Sequence, residues 1–407
     1  MLILTLLEAQ EAITASGTSW QPPSSPMFMF HHDQHGAWTT MLHGNVFAGV
    51  DLQGSERGDT SVESMNQVMG MLSRKVAADA GWLGFRAMLS AEPLTVGDAG
   101  YPLLLQTGET LDGEPLHDVQ HAHDLFMELS AATRWALGKE SGVELYAAPA
   151  GEPATGPTAF PNRVSSISNP LAPLGHHWMD STHITYGVAT LGLFGRFAKL
   201  EGSWFNGREP DETRYDLDLG SFDSASVRLS GLIGDDLALQ VSYAWLASPE
   251  ELHPGPVHRT TASATWNHPW AESRANVATT AAWGRNVEHD EEPTDSVLVE
   301  TNVDPVGPLV VFGRASFEEK SARDLVVEDV PEHAVFDLYT ANGGVSVLFP
   351  IGKHIETGVG VSGNLSLVPP DLEPAYGTRT PAGLFVFLQL RPPPMMHAVS
   401  EEPHHHH

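Results

Sequence analysis

The sequence has no cysteine and little positive charge. Its 407 residues include 21 Lys and Arg against 51 Asp and Glu, so the formal net charge is −30 at neutral pH. The absence of cysteine excludes disulfides, thiolate metal sites and cysteine catalysis. Because the binding of phosphates needs a basic surface, the charge also argues against a nucleic-acid partner.

Long apolar runs are absent as well. No stretch approaches the roughly 20 apolar residues of a membrane-spanning helix. The apolar residues 1–7 have no basic region before them and no full hydrophobic region after them, so we expect a chain without its export signal. The terminal residues His404–His407 have the form of a purification-tag remnant, which carries no function.

What the sequence does contain is alternation of apolar and polar residues. From Leu237 to Trp245 every second residue is apolar, and the residues between them, such as Gln240 and Ser242, are small or polar. Successive side chains of a strand point to opposite faces, so this segment predicts a strand with one apolar and one polar face.

Sixteen segments show this pattern, and we predict strands at 37–51, 62–75, 81–90, 124–137, 142–148, 183–194, 197–206, 224–233, 237–247, 258–268, 273–285, 295–303, 309–321, 336–349, 354–366 and 381–391. Short links follow every second strand, and long links fill the other places. This arrangement is typical of outer-membrane barrels, which have short periplasmic turns and long extracellular loops. The sequence therefore predicts an all-β fold, a transmembrane antiparallel β-barrel of about 16 strands in the outer membrane of a Gram-negative bacterium.

The same segments divide the chain. We expect residues 1–36 to form an N-terminal periplasmic segment, residues 37–391 the barrel, and residues 392–407 a C-terminal extension with the tag remnant. The partners of such a barrel are outer-membrane lipid and lipopolysaccharide, small ions or solutes, and a periplasmic or surface protein.

A soluble β-sandwich or β-solenoid would also alternate. A sandwich seldom holds so many strands in one unit, and it keeps its charges at the rim. Here charges recur in mid-strand opposite apolar residues, as at Glu128, Lys199, Arg228 and Arg314. This feature favours a barrel with a polar lumen.

Histidines and carboxylates concentrate in two of the long links, 91–123 and 149–182. The candidate ligands are His121, His123, Asp124, His176, His177, Asp180 and His183. The strands that flank these links are neighbours, so both segments should emerge at the same part of the rim, where they could hold a divalent metal such as Zn²⁺ or Cu²⁺. No spacing matches a known metal signature, and the same side chains could instead join two loops by hydrogen bonds.

Methionines form a second candidate site. Strand alternation turns His43, Met65, Met69, Met71 and Met88 toward the lumen, where thioethers could bind a soft cation such as Cu(I). The N-terminal segment adds Met27, Met29, His31, His32 and His35, and Met395, Met396 and His397 follow the last strand. The alternative is that methionine fills irregular space inside the wall.

Signals of catalysis are weak. The sequence has neither a Gly-x-Ser-x-Gly elbow nor a P-loop lysine, so we predict that the protein is not an enzyme, with a surface hydrolase the least favoured function. Acidic loops would attract cations to the mouth, or would simply be solvated. The pattern favours a channel or a protein that handles copper-type cations. The alternative is a plugged structural barrel that docks a partner.

Four segments also carry a resemblance. Residues Tyr101–Thr110, His117–Glu128, Gly175–Val188 and Gly207–Asp216 resemble motifs of an uncharacterised family of outer-membrane barrels encoded near copper and heavy-metal resistance systems. The likeness extends from Ser16 to Leu390. It implies a barrel and a role in metal homeostasis, and it supplies no catalytic residues. The Met/His segment near the N-terminus is loosely similar to the much longer leader of copper-resistance B barrels.

Overall fold

Sixteen strands close into one antiparallel barrel. The computed structural model describes residues 6–97, 99–270, 275–289, 291–328 and 330–395. The barrel strands are β1 (Trp38–Gly54), β2 (Thr60–Val76), β3 (Gly81–Leu89), β4 (Phe126–Ala136), β5 (Ser141–Gly151), β6 (Thr185–Gly195), β7 (Ala198–Phe205), β8 (Ser224–Ile233), β9 (Leu237–Leu246), β10 (Val257–Pro269), β11 (Asn276–Glu288), β12 (Thr294–Asp304), β13 (Leu309–Ser321), β14 (Val335–Ile351), β15 (Ile355–Leu367) and β16 (Ala382–Arg391). Pairing of β16 with β1, from Ala382↔Gly54 to Leu390↔Val46, closes the cylinder. Every predicted strand is present in the predicted order, so the fold prediction is confirmed.

The two faces of the wall have opposite character. On β7 and β8, Leu200 and Leu229 are each 51% exposed on the outside, whereas Lys199 and Arg228 are each only 1% exposed on the inside. A soluble protein places these residue types the other way round. Apolar residues outside and charges inside are the arrangement that a barrel needs when its outer face meets lipid.

The inward charges neutralise one another in a chain across the wall. Arg134 on β4 lies 2.6 Å from Glu144 on β5, and Lys199 on β7 lies 3.0 Å from Glu201 on the same strand. Arg228 on β8 then contacts Glu201 at 3.1 Å. Because removal of charge from water is costly, such groups are stable in the lumen only when each one has an opposite partner.

The long connection between β5 and β6 folds into the barrel. Residues 152–160 and 163–184 are all buried. Wall strands on different sides hold this inserted loop. Asn45 of β1 donates to the Ile167 carbonyl at 2.7 Å, Ser203 of β7 accepts from the Ala154 amide at 2.7 Å, and Arg314 of β13 donates to the Leu171 carbonyl at 2.8 Å. The sequence predicts an outside loop here. The segment lies inside instead, because the polar wall satisfies its backbone.

The N-terminal segment also enters the lumen, at the end of the short turns. Its helix, Leu6–Ile13, is followed by an irregular stretch in which Trp20 packs against Trp82 and Phe194. Arg86 of β3 donates to the Ala15 carbonyl at 2.7 Å. The division expected from the sequence sets 1–36 apart from the barrel. The described part, from residue 6 onward, is joined to it because inward cations of the wall use its carbonyl oxygens as acceptors.

Smaller elements complete the chain. They are the strand Met27–Phe28 paired with Pro394–Met395, the strand His31–His35 paired with β1, the helix Glu92–Thr95, the hairpin of Tyr101–Leu111 and Glu114–Gln120, the 3-10 turn Phe160–Asn162, the helix His176–Met179, the 3-10 turn Ser181–His183, the 3-10 turn Pro370–Leu372 and the helix Glu373–Tyr376. No helix in the described ranges is long and apolar enough to cross a membrane. Met396, His397 and His404–His407 lie outside the described residues.

The anchor of the inserted loop can be tested at Arg163. Its guanidinium lies 2.5 Å from Glu300 of β12 and 3.1 Å from Asp180 of the same loop, and all three side chains are buried. Arg163→Met would leave buried Asp180 without its arginine partner and Glu300 with Arg314 alone, at 2.8 Å. Breaking a buried ion pair costs about 3–5 kcal/mol. We expect a large loss in the free energy of unfolding, measured by urea denaturation in detergent.

The control is Arg285→Met, which removes the exposed pair of Arg285 with Asp295 at 2.5 Å. Exposed ion pairs contribute little to stability, so this variant should have the same free energy of unfolding as the wild type. Equal destabilisation of the two variants would contradict the anchoring role of Arg163.

Candidate metal site

Five histidines from two connections meet inside the lumen. His121 and His123 come from the segment before β4, and His176, His177 and His183 come from the end of the inserted loop. The ring centroids are 5.2 Å apart for His123 and His183, 5.1 Å for His183 and His176, and 5.2 Å for His176 and His177. His121 completes the group, with its ring centroid 5.9 Å from that of His177 and 6.4 Å from that of His123. We call these five residues the histidine cluster.

The local fold of the inserted loop positions three members of the cluster. The helix His176–Met179 is a single turn, and Trp178 fixes it to the wall by a hydrogen bond from its indole nitrogen to Thr294 at 2.9 Å. Gly175 precedes this turn. A Cβ there would lie 2.0 Å from the Ser296 hydroxyl oxygen, so a larger residue would require the Ser296 hydroxyl on β12 to move.

The Nδ1 atom of each imidazole contacts an oxygen atom that orients the ring. The partners are an oxygen of Glu109 at 3.1 Å for His121, of Glu92 at 2.8 Å for His123, of Asp180 at 2.8 Å for His176, of Glu209 at 3.3 Å for His177, and the Asp180 carbonyl at 2.8 Å for His183. When an imidazole is neutral, such an oxygen accepts its Nδ1 proton and the lone pair lies on Nε2. Acceptors of this kind behind imidazoles are a recurring feature of metal centres.

The Nε2 atoms of all five imidazoles are buried and have no hydrogen-bond partner. A buried polar atom without a partner costs about 1–3 kcal/mol, so five in one place require a physical reason. Lone pairs of neutral imidazoles are the donors that transition metals prefer.

Three of the rings are already close enough to share one ion. The ligand nitrogens of His121, His176 and His177 all lie within 4.8 Å of one another. With metal–nitrogen distances of about 2.0–2.1 Å, tetrahedral ligands lie roughly 3.4 Å apart. Small side-chain rotations of about an ångström would therefore suffice to close the three rings on a cation.

Electrostatics keeps most of the cluster uncharged. Burial lowers the pKa of His176 to about 4, although the neighbouring Asp180 opposes the shift. Burial also lowers the pKa of His121 and His183, assisted by Arg214 at His121 and by His176 at His183. An uncharged imidazole is the form that binds a metal.

The two remaining imidazoles attract protons. Burial works against the charged form of His123 and His177, but the carboxylates of Glu92 and Glu209 outweigh it and raise both pKa values. The cluster therefore combines neutral donors with two rings that are held next to carboxylates.

The two predicted carboxylate ligands are engaged elsewhere. One oxygen of Asp180 faces His176, and the other accepts from Arg163 at 3.1 Å. Asp124 contacts Arg214 at 3.2 Å and accepts from Tyr186 at 2.5 Å. Both aspartates are placed to orient other groups rather than to face the Nε2 atoms. The strand predicted from residue 124 begins only at Phe126, so Asp124 and His123 both belong to the segment before β4.

Sequence reasoning missed the groups that surround the cluster. Glu92 and Glu109 come from the connection between β3 and β4, Glu209 comes from the connection after β7, and no spacing links them to the histidines. Phe160 covers the cluster on another side, with its ring 5.2 Å from His176, 5.7 Å from His123 and 5.8 Å from His183.

The predicted methionine site divides into parts. Met69, Met71 and His43 line a cavity of about 340 Å³ next to the N-terminal segment, and Met27, Met29 and Met41 line it as well. Met88 packs with Met69 and Met127 beside this methionine cavity. Met65 lies elsewhere, packed in the cluster that contains Phe47 and Phe387.

Comparison with known proteins identifies the fold. No protein-family model and no curated protein matches the sequence. Among solved structures, the anion-selective porin from Comamonas acidovorans aligns with TM-score 0.53 and 11% identity over 87% of this chain and 99% of that one. OmpF of Salmonella typhi, solved with daunomycin, aligns with TM-score 0.52 and 10% identity over 88% and 100%. OmpT, an outer membrane protein of Vibrio cholerae, gives TM-score 0.50 and 8% identity over 88% and 98%.

These similarities establish a porin-type barrel. Together with the apolar outer face, the porin-like neighbours indicate an outer-membrane protein of a Gram-negative bacterium, as the sequence predicts. At identities near 10% the likeness concerns the fold, and the solute specificity of the neighbours does not transfer.

Proposed function

We propose that this porin-like barrel binds a transition-metal cation of the copper or zinc type in the histidine cluster and handles that cation at the outer membrane. One observation carries the proposal, namely five buried Nε2 atoms without hydrogen-bond partners, each on a ring that is held from behind. If the histidines served only to join two loops, their Nδ1 contacts would be sufficient. The unpartnered nitrogens would then be a pure cost.

The proposal predicts that asparagine at a cluster position will weaken metal binding while it keeps much of the loop structure. The side-chain amide of asparagine can replace the Nδ1 donor, but it has no atom in the place of Nε2. We expect His121→Asn, His176→Asn and His177→Asn each to lower Cu²⁺ or Zn²⁺ affinity at least tenfold, measured by titration calorimetry of protein without its terminal histidines.

The matched control is His268→Asn. His268 is exposed and bound to Asp236 at 2.8 Å on the opposite end of the barrel. Its loss should leave affinity unchanged. Wild-type protein that binds no more metal than a variant carrying all three asparagine changes would contradict the proposed function.

The methionine cavity supports a soft-cation site as a second part of the proposal. Thioethers bind Cu(I) and Ag(I) well and divalent ions poorly. In a background that carries the three asparagine changes, we expect Met69→Leu and Met71→Leu each to weaken Ag(I) binding severalfold, measured by competition with a chromophoric chelator. Leucine conserves the volume, so folding should change little.

Met65→Leu is the control for this experiment, because Met65 has the same strand parity but lies in a different apolar cluster. If all three leucine variants weakened Ag(I) binding equally, or if none of them weakened it, a site in the methionine cavity would be ruled out.

The filled lumen favours a second candidate, a plugged barrel that docks a partner. Both the inserted loop and the N-terminal segment occupy the interior, so we expect planar-bilayer conductance far below that of an open porin measured alongside. A small, cation-selective conductance would support transport. Complete absence of current would favour the docking barrel, and an open-porin conductance would contradict the filled lumen.

A further inference from the structure

A cavity opens among the loops at the long-loop end of the barrel. Its volume is about 90 Å³. It is walled by the hairpin after β3, by the connections that follow β7 and β9, and by residues at the end of β11 and after β13. We call it the outer cavity.

The lining of the outer cavity is strongly negative. It includes seven carboxylates and two arginines. One of these arginines, Arg323, is already held by Glu288 at 3.1 Å, Glu291 at 2.9 Å and Asp324 at 3.5 Å. A recess with acidic walls concentrates cations, because the surrounding protein focuses the field.

The outer cavity and the histidine cluster share residues. Glu109 and Glu209 line the cavity, and the same carboxylates hold the Nδ1 atoms of His121 and His177. His177 itself lines the cavity, although only 7% of the residue is exposed, and its Nε2 atom has no partner. The acidic recess therefore ends at an unpartnered imidazole nitrogen.

Gly108 lies where the outer cavity meets His177, and it places no side chain there. A Cβ at Gly108 would lie 2.3 Å from Nε2 of His177, and Gly108 also has a φ of +111° that side chains rarely adopt. Only glycine lets the hairpin cover His177 at this distance without a side chain against the nitrogen.

We infer that the outer cavity is the route by which a hydrated divalent transition-metal cation reaches the histidine cluster from outside. This inference rests on the proposed function. Exposed Glu251 and half-buried Glu250 collect the ion, Glu109 and Glu209 replace part of its hydration shell, and His177 is the first imidazole that it meets. Weak successive ligands allow a cation to pass to a stronger site without being trapped.

The route can be tested by the rate of ion capture, with Cu²⁺ as the probe. We would follow quenching of Trp178 emission by stopped flow in tag-free protein, with Trp178→Phe to identify the signal. For Glu250→Gln/Glu251→Gln we expect association at least threefold slower at low salt and a difference that disappears at high salt, since screening removes steering. The amount of Cu²⁺ bound at saturation should stay that of the wild type.

The control removes two charges from the same end of the barrel but outside the cavity. Asp371→Asn/Glu373→Gln alters the exposed connection between β15 and β16. Equal association rates for the two double variants would overturn the route. Failure of the wild type to bind Cu²⁺ at all would instead overturn the proposed function, so the two outcomes are distinct.

Discussion

Charge inside the barrel is the constraint on which the rest of the structure depends. A wall that meets lipid must turn its charges inward, and inward charges such as Arg228 and Lys199 then need partners. Neighbouring strands supply some of them, and the chain supplies the others by folding its N-terminal segment and the inserted loop into the lumen. Thr18, for example, accepts from Arg228 at 2.9 Å. The interior is thus filled because inward charges of the wall bind polar groups of these two segments.

This constraint also explains why the histidine cluster can exist at such depth. Five imidazoles and four carboxyl groups could not be packed in an apolar core. In this lumen each carboxyl group has a donor, as when Arg163 lies between Asp180 and Glu300. Oxygens of the loops hold the imidazoles in fixed orientations, and the Nε2 atoms are left without hydrogen-bond partners.

The fold was predictable because a strand signals its two faces every second residue. The meeting of His121 with His177 was predictable in part, since the flanking strands are neighbours, but the depth of the cluster was not. Inward folding of residues 152–184 depends on partners such as Asn45 and Arg314, which lie far away in the sequence. The acceptors Glu92 and Glu209 belong to loops whose paths no periodicity determines.

Met65 and Met69 show a further limit. They share a face, but four residues separate them by about 13 Å along the strand, so parity alone cannot place them in one site.

Asp180 connects the histidine cluster to the barrel wall. One of its oxygens orients His176, while the other accepts from Arg163 and from the Phe160 amide at 3.0 Å, and Arg163 continues to Glu300. A cation on His176 would tighten that imidazole against Asp180 and, through it, fix both ends of the inserted loop to β12. Occupancy of the histidine cluster and the position of the inserted loop would then be coupled, so that the loop is held firmly when the ion is bound and less firmly when the ion has left.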